Sequence, residues 1–130
     1  NGDLYLFVSV DTHEIFKRSE ENLYYELPIS IADATLGTTV EVPSIDGGKT
    51  KIKIPSGTQS GKQLRLKGKG MPILRRNIFG DLYIRIITEV PTSLTKRQKE
   101  LLTEFKNLED NKSNPLIKTF FDKAKKFWNN

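Results

Sequence analysis

The chain has 130 residues, 36% of them apolar, and a formal charge of +5. This length allows one folded domain with attachments and excludes two full-sized domains. The absence of cysteine excludes disulfides, thiol catalysis and thiolate zinc sites, and it favours a reducing compartment. The sequence contains neither a long apolar run nor an amino-terminal signal-peptide pattern, so we expect a cytoplasmic protein with no membrane partner.

The basic charge is concentrated near the carboxyl end. Residues 1–92 hold 12 Lys/Arg against 11 Asp/Glu, whereas residues 93–130 hold 9 against 5. A nucleic-acid-binding domain would carry its basic face on the folded domain itself. The basic residues between Lys62 and Arg76 could contact phosphate, but no aromatic residues for base stacking alternate with them. A basic β module that binds nucleic acid therefore remains only as the alternative function.

The middle of the chain alternates apolar and polar positions in short runs, which is typical of β-strands. We predict strands at 23–30, 38–45, 49–54, 63–67 and 81–90. Asp46–Gly48 supplies hairpin turn chemistry between the second and third strands. Pro28 and Pro43 lack an amide donor, so their strands should lie at edges or end early. The pattern predicts a mainly β fold, a small sandwich or open barrel, in residues 13–92.

A short repeat brackets this domain. Gly2–Leu6 (GDLYL) recurs as Gly80–Ile84 (GDLYI), and each copy continues into an alternating strand pattern. We interpret residues 1–12 as the last strand of a preceding β domain and its connector. Asp3 and Asp81 occupy matching positions, which favours a shared strand-start turn over a paired carboxylate site.

After Pro91 the apolar period changes from two to about 3.6 residues, so residues 93–130 are predicted to be helical. Thr95 and Gln98 form a capping box for the first helix, and Pro115 begins the second helix after a polar break. The first helix carries an apolar stripe of Leu94, Leu101, Leu102, Phe105 and Leu108. The second carries a larger stripe of Leu116, Ile117, Phe120, Phe121, Ala124, Phe127 and Trp128.

The second helix is expected to be stable only if its apolar stripe is buried against another surface. An isolated helix of this length is marginal in water, because ordering each residue costs about 1–2 kcal/mol. Either the chain's own β domain or a second subunit could bury the aromatic stripe. Large aromatic patches usually mark interfaces, so we expect the seven residues of the second stripe to mediate homodimerisation.

Catalytic groups are scarce. His13 is the only histidine, so metal sites and acid–base relays built on histidine lack partners. The segment Gly57–Lys62 suggests a phosphate-binding loop, but only three residues separate its glycines where the motif needs four, and Gln63 replaces the required Ser or Thr. We therefore expect no enzyme activity, no metal and no cofactor.

Short motifs run in a fixed order along nearly the whole chain. They are His13-x-x-Phe16-x-Arg18, Asn22-Leu23, Leu27-Pro28-Ile29-Ser30, Ala34-x-Leu36-Gly37, Ile45-Asp46-Gly47, Ile54-Pro55-x-Gly57-Thr58-Gln59-x-Gly61, Arg65-Leu66-x-Gly68-Lys69-Gly70-Met71-Pro72, Gly80-Asp81-Leu82 and Leu94-Thr95-x-Arg97-Gln98. Together these motifs resemble the second carboxy-terminal domain of DnaJ-type co-chaperones. The resemblance implies a two-sheet β-sandwich followed by helices through which two subunits pair. It also explains the repeat, because such proteins carry two similar sandwich domains in tandem.

The resemblance further implies a function in protein folding and the stress response. Such a module holds unfolded polypeptides, prevents their aggregation and, in the full-length protein, passes these clients to a DnaK-type chaperone. The J domain, the glycine-rich linker and the cysteine-rich, zinc-binding region of such proteins have no counterpart in this sequence. By analogy with the peptide groove of the preceding domain, a client groove would be lined by Tyr25, Leu27, Val40, Val42 and Ile84. The alternative is that these five side chains are ordinary core.

Overall fold

The computed structural model describes residues 13–73 and 78–129. Its elements are β1 (Lys17–Ser19), β2 (Asn22–Ser30), α1 (Ile31–Leu36), β3 (Thr38–Pro43), β4 (Lys49–Ile54), β5 (Gln63–Leu66), β6 (Leu82–Glu89), α2 (Lys96–Leu108) and α3 (Pro115–Trp128). The chain divides into two compact units, Asn1–Pro91 and Thr92–Asn130. We call them the β unit and the helical unit. The assignment of residues 1–12 to a preceding domain, with the first copy of the repeat, lies outside the described residues.

The described residues of the β unit form two sheets. A four-stranded sheet has the order β1-β2-β6-β5, and β3 pairs with β4 in a two-stranded sheet. β2 and β6 run parallel from the Leu23–Leu82 pair to the Ser30–Glu89 pair, and the remaining pairs of strands are antiparallel. Side chains of both sheets meet in one apolar core. The predicted mainly β fold, with two sheets followed by helices, is confirmed.

The core follows from the alternation seen in the sequence, since every second residue of a strand points to the same face. Its buried members are Phe16, Leu23, Tyr25, Ile29, Ala34, Val42, Ile52, Ile54, Met71, Leu82, Ile84 and Ile86. The four-stranded sheet supplies one wall through β2 and β6. The two-stranded sheet supplies the other through β3 and β4.

Two glycines allow the loops before β6 to pack closely. Gly70 N–H donates to Gly80 O (2.8 Å), Gly80 N–H donates to Met71 O (2.8 Å), and Met71 N–H donates to Glu21 O (2.8 Å). A Cβ added to Gly80 would overlap the carbonyl of Glu21, and one added to Gly70 would lie 2.6 Å from the carbonyl oxygens of Glu21 and Asp81. Only residues without a side chain fit at these two positions.

The helical unit has the boundaries that its capping residues predict. Gln98 N–H donates to Thr95 Oγ1 (3.1 Å) and Thr95 N–H donates to Gln98 Oε1 (2.9 Å), which completes the capping box of α2. α3 begins at Pro115, where the missing amide removes a donor that a first turn leaves unpaired anyway. Among the described residues, no helix has the length and apolar content that crossing a membrane requires.

Two short elements were not predicted. β1 pairs with the first residues of β2, and α1 follows β2 directly. Ser30 caps α1 by accepting a hydrogen bond from Asp33 N–H (3.0 Å), and Gly37 ends it with a φ of 84°. The strand predicted at 38–45 stops at Pro43, as expected for a strand that contains proline.

Candidate functional site

The five residues of the predicted groove face the interior of the sandwich. Tyr25, Val42 and Ile84 are 5%, 1% and 0% exposed, respectively, and belong to the core. Leu27 and Val40 are partly buried and pack against that core. In the described arrangement, a peptide at the surface could therefore touch only Leu27 and Val40 directly. Tyr25, Val42 and Ile84 are enclosed within the core.

The accessible feature beside these residues is one edge of β2. β1 covers only Asn22–Tyr24. Leu23 N–H donates to Asp81 O (2.9 Å), so the odd-numbered residues of β2 direct their backbone groups toward β6. The backbone groups of Glu26 and Pro28 then point the other way, where no strand of the described residues pairs with them. We call the backbone of Glu26–Ser30 on this side the β2 edge.

The β2 edge has limited hydrogen-bonding capacity. Glu26 offers an N–H and a C=O, whereas Pro28 offers only a C=O. Proline at an outward-facing position is a common means of limiting unwanted strand addition. The sequence-based expectation that Pro28 marks an edge therefore applies to one side of β2, because the other side pairs with β6 along its length.

An aromatic cluster surrounds Phe16, next to Tyr25 of β2. The ring of Phe16, which is buried, packs edge-on against the rings of His13 (5.1 Å between centroids) and Tyr25 (5.2 Å). His13 Nδ1 accepts hydrogen bonds from the N–H groups of Ile15 (3.0 Å) and Phe16 (3.3 Å), so the imidazole shapes the turn that inserts Phe16. His13 thus has a structural role in this turn.

Tyr25 connects the two sheets. Its hydroxyl donates to Pro43 O at 3.3 Å, which links β2 to β3 across the sandwich. Burial raises the pKa of the Tyr25 hydroxyl to about 12, so the phenol keeps the proton with which it donates. This bond holds β3, with Val40, against the sheet that carries Leu27.

Asp81 fixes the beginning of β6. Its carboxylate accepts from Arg65 Nε (2.6 Å), Arg65 Nη2 (2.6 Å) and Gly68 N–H (3.0 Å), and its own N–H donates to Asn22 Oδ1 (2.8 Å). The Gly68 N–H, followed by the Arg65 guanidinium, lowers the pKa of the Asp81 carboxyl. The residue thus joins β2, β5 and β6 at one point, as expected of a turn at a strand start. Asp3 lies outside the described residues.

The second candidate surface is the apolar face of the helical unit. The seven predicted residues of α3 lie on one face of the helix; Ala124 is half-buried, and the other six are 48–77% exposed. The apolar residues of α2, Leu101, Leu102, Phe105 and Leu108, are exposed as well. Within its own unit, neither helix has its apolar face covered.

The polar face of α3 is basic. It carries Lys118, Lys123, Lys125 and Lys126, and the last two lie in the final turn, where they suit the negative end of the helix dipole. Lys118 Nζ lies 2.7 Å from Asp122 Oδ2, and this contact lowers the pKa of the Asp122 carboxyl. The helix is therefore sharply divided into an aromatic side and a cationic side.

The described residues contain no group of His, Cys, Asp and Glu side chains that could hold a metal ion. The candidate site consists instead of backbone edges and apolar surfaces. Such features bind other polypeptides rather than small reactants.

Comparison with known proteins gives two family matches. Residues 1–91 match the DnaJ C terminal domain, and residues 97–130 match the Chaperone protein DnaJ C-terminal region. Curated relatives described as chaperone protein DnaJ include that of Pelagibacter ubique, 67% identical over all 130 residues of the chain and 35% of its own length. Those of Azorhizobium caulinodans and Roseobacter denitrificans are 54% and 52% identical over 98% of the chain and 33% of their own lengths. The chain thus spans about a third of the length of these relatives.

Proposed function

Because the chain belongs to the DnaJ C-terminal domain family, we propose that it is a non-enzymatic module that binds extended, unfolded polypeptides and pairs with a second copy of itself. The observation that carries this proposal is the exposed apolar face of α3, which nothing in its own unit covers. The β2 edge supports the client-binding part. Self-association would bring two β2 edges into one dimer.

The helical unit supports pairing with a second copy. Aromatic side chains bury about 150–250 Å² each, and α3 presents three Phe and one Trp on one face. The turn before α3 is fixed, because Asp110 Oδ1 accepts from the N–H groups of Lys112 (2.9 Å) and Ser113 (3.0 Å). We propose that the faces of α2 and α3 from two copies form a single apolar interface.

Sedimentation equilibrium of the full chain tests the pairing. We expect a dimer in the natural chain and a monomer after Phe120→Ser with Phe121→Ser, because these changes remove the centre of the aromatic face. Thr119→Ser with Lys126→Ser is the matched control, since the helical period places both residues on the opposite, polar face, and it should remain dimeric. A natural chain that stays monomeric at every concentration contradicts the proposal.

Client binding is proposed to use strand addition. An extended peptide would pair with the β2 edge through the backbone of Glu26 and Pro28, and its side chains would contact Leu27 and Val40. Tyr25, Val42 and Ile84 belong to the core against which these two residues pack and would support them from inside the sandwich. Main-chain pairing explains how one site could accept many sequences, because every peptide carries the same backbone groups.

Two substitutions test the edge in opposite directions. Pro28→Ala restores the missing outward N–H and should tighten the binding of an apolar model peptide, measured by calorimetry. Glu26→Pro removes the remaining N–H and should weaken binding, whereas Glu26→Ala removes only the side chain and should leave it unchanged. Circular dichroism establishes that the variants are folded. Equal affinities for all folded variants would refute strand addition at this edge.

For the full-length protein, we propose that the module passes its clients to a DnaK-type chaperone in the cytoplasm. Other parts of that protein would contain the J domain, which acts on such a partner, and, in the zinc-containing class, the zinc-binding region. The fragment itself is proposed to require no cofactor. Aggregation of an unfolded model protein, followed by light scattering with the chain present or absent, measures its holding activity directly.

A further inference from the structure

Two tyrosines lie side by side on the outer face of the four-stranded sheet. Tyr24 of β2 and Tyr83 of β6 are register partners, and their rings stack with centroids 5.1 Å apart and planes 12° from parallel. Their chain neighbours Leu23 and Leu82 are fully buried, so the pleat directs both tyrosines away from the core. Both residues are partly exposed. Solvent therefore reaches a pair of phenols whose positions two central strands fix.

The other oxidisable groups of the described residues are buried or belong to the helical unit. The sequence has no cysteine. Met71 is 0% exposed. Tyr25 is buried in the core, and burial raises its pKa to about 12, which disfavours the loss of its proton. Trp128 is exposed but belongs to α3 in the other unit. Within the described part of the β unit, the stacked pair is thus the accessible oxidisable site.

We propose that Tyr24 and Tyr83 are a modification site at which two equivalents of a one-electron oxidant join the two rings as dityrosine. Each phenol gives one electron to the oxidant and one proton to water. The two phenoxyl radicals then form a carbon–carbon bond between ring positions adjacent to the oxygens. The hydrogen on each bonded carbon moves to the oxygen of its own ring and restores both phenols. The product lacks two hydrogen atoms, which match the two electrons and two protons released.

The fold favours this coupling over reaction between chains. Holding two reactants next to each other turns a bimolecular step into a unimolecular one, with a large gain in effective concentration. Cross-strand neighbours on one face of a sheet are held within contact distance. Here the parallel register of β2 and β6, which runs from the Leu23–Leu82 pair to the Ser30–Glu89 pair, fixes the positions of both tyrosines.

The cross-link would tie the two central strands together. It closes a long loop in the unfolded chain and thereby reduces the entropy gained on unfolding, as a disulfide does. The link lies on the outer face, whereas the proposed client contacts Leu27 and Val40 pack against the core. We therefore expect the oxidised chain to resist unfolding and still to bind peptide.

Photo-oxidation of the full chain with a ruthenium tris-bipyridyl complex and persulfate tests the site. We expect dityrosine fluorescence, a mass lower by two hydrogen atoms, and a proteolytic product that joins the peptides containing Tyr24 and Tyr83. The yield per chain should not change on dilution. The denaturation midpoint of the cross-linked fraction should move to higher denaturant concentration.

Single Phe substitutions identify the partners while keeping the ring stack. Tyr24→Phe and Tyr83→Phe should each abolish the product, whereas Tyr25→Phe and Tyr5→Phe should retain it. Circular dichroism verifies the fold of each variant. The proposal is overturned if Tyr24→Phe still yields the intramolecular product, if the product forms only between chains, or if the chain unfolded in guanidinium cross-links as efficiently as the folded one.

Discussion

The β unit and the helical unit treat their apolar residues in opposite ways. Strands β2 and β6 turn Leu23, Ile84 and Ile86 into a shared interior, and nothing outside the unit is needed to cover them. Helix α3 has an equally regular apolar face, yet Phe120 and Trp128 stay exposed. A sheet pair can close on itself, whereas one amphipathic helix cannot. The same hydrophobic pattern therefore predicts stability in one unit and association in the other.

The largest disruption of the β unit should come from Gly80→Ala. The new Cβ would overlap the Glu21 carbonyl, so the junction of β2, β6 and the Met71 loop would have to separate. We expect the free energy of unfolding to fall by more than about 4 kcal/mol, measured by denaturant titration with circular dichroism. Gly57→Ala is the control, because no atom lies within 4 Å of its added Cβ. Its positive φ alone should cost about 1 kcal/mol.

Removing core volume should have the next largest effect. Ile84→Ala leaves a cavity at a position that is 0% exposed, and we expect a loss of about 2–5 kcal/mol in unfolding free energy. The loss should be independent of protein concentration, because the core belongs to one chain. A loss that disappears at high concentration would show that the β unit also depends on a partner.

The corresponding truncation in the helical unit should behave differently. Phe127→Ala removes an exposed aromatic group from α3 and should raise the dissociation constant of the dimer about 10- to 100-fold. The β unit should keep its own denaturation midpoint. Sedimentation equilibrium and denaturant titration of the same variant measure the two effects. Loss of β-unit stability without loss of association would reverse the assignment.

The smallest expected effect is on the stability of the β unit at acid pH. The hydrogen bonds from Gly68 and Arg65 lower the pKa of Asp81 in the folded chain. Ionised Asp81 therefore stabilises the fold fully above the ordinary aspartate pKa of about 3.9, and this contribution is lost as the pH falls through the folded value. Asp81→Asn should flatten this part of the acid unfolding curve. Asp110→Asn should not alter the acid transition of the β unit, because Asp110 lies in the helical unit.

Local signals in the sequence were sufficient for most elements. Thr95, Gln98 and Pro115 predict the starts of α2 and α3, because capping depends on neighbours within one turn. Alternation located β2, β3, β4, β5 and β6 to within one or two residues. Ser30 and Gly37 carry the start and stop signals of α1, but the apolar alternation of β2 runs straight into them and conceals a helix of six residues.

The order of the strands in the sheets and the depth of burial of each residue could not be predicted from local sequence signals. Alternation shows that Val42 and Ile84 each lie on the apolar face of their strand. It does not show whether another sheet covers that face. The parallel pairing of β2 with β6 depends on residues far apart in sequence. The apolar face of α3 was predictable because it needs only the helical period. The β2 edge was not, because it depends on where β1 stops.

The parallel pairing of β2 with β6 also constrains how the protein is made. Asn22 and Asp81 meet across 59 positions of sequence, so a growing chain presents β2 long before its permanent neighbour exists. The β3–β4 hairpin can form at once, since its contacts are local. Until Leu82–Glu89 leaves the ribosome, β2 has both sides of its backbone largely unpaired. This domain therefore passes through a stage of synthesis in which it resembles the unfolded chains it is proposed to hold.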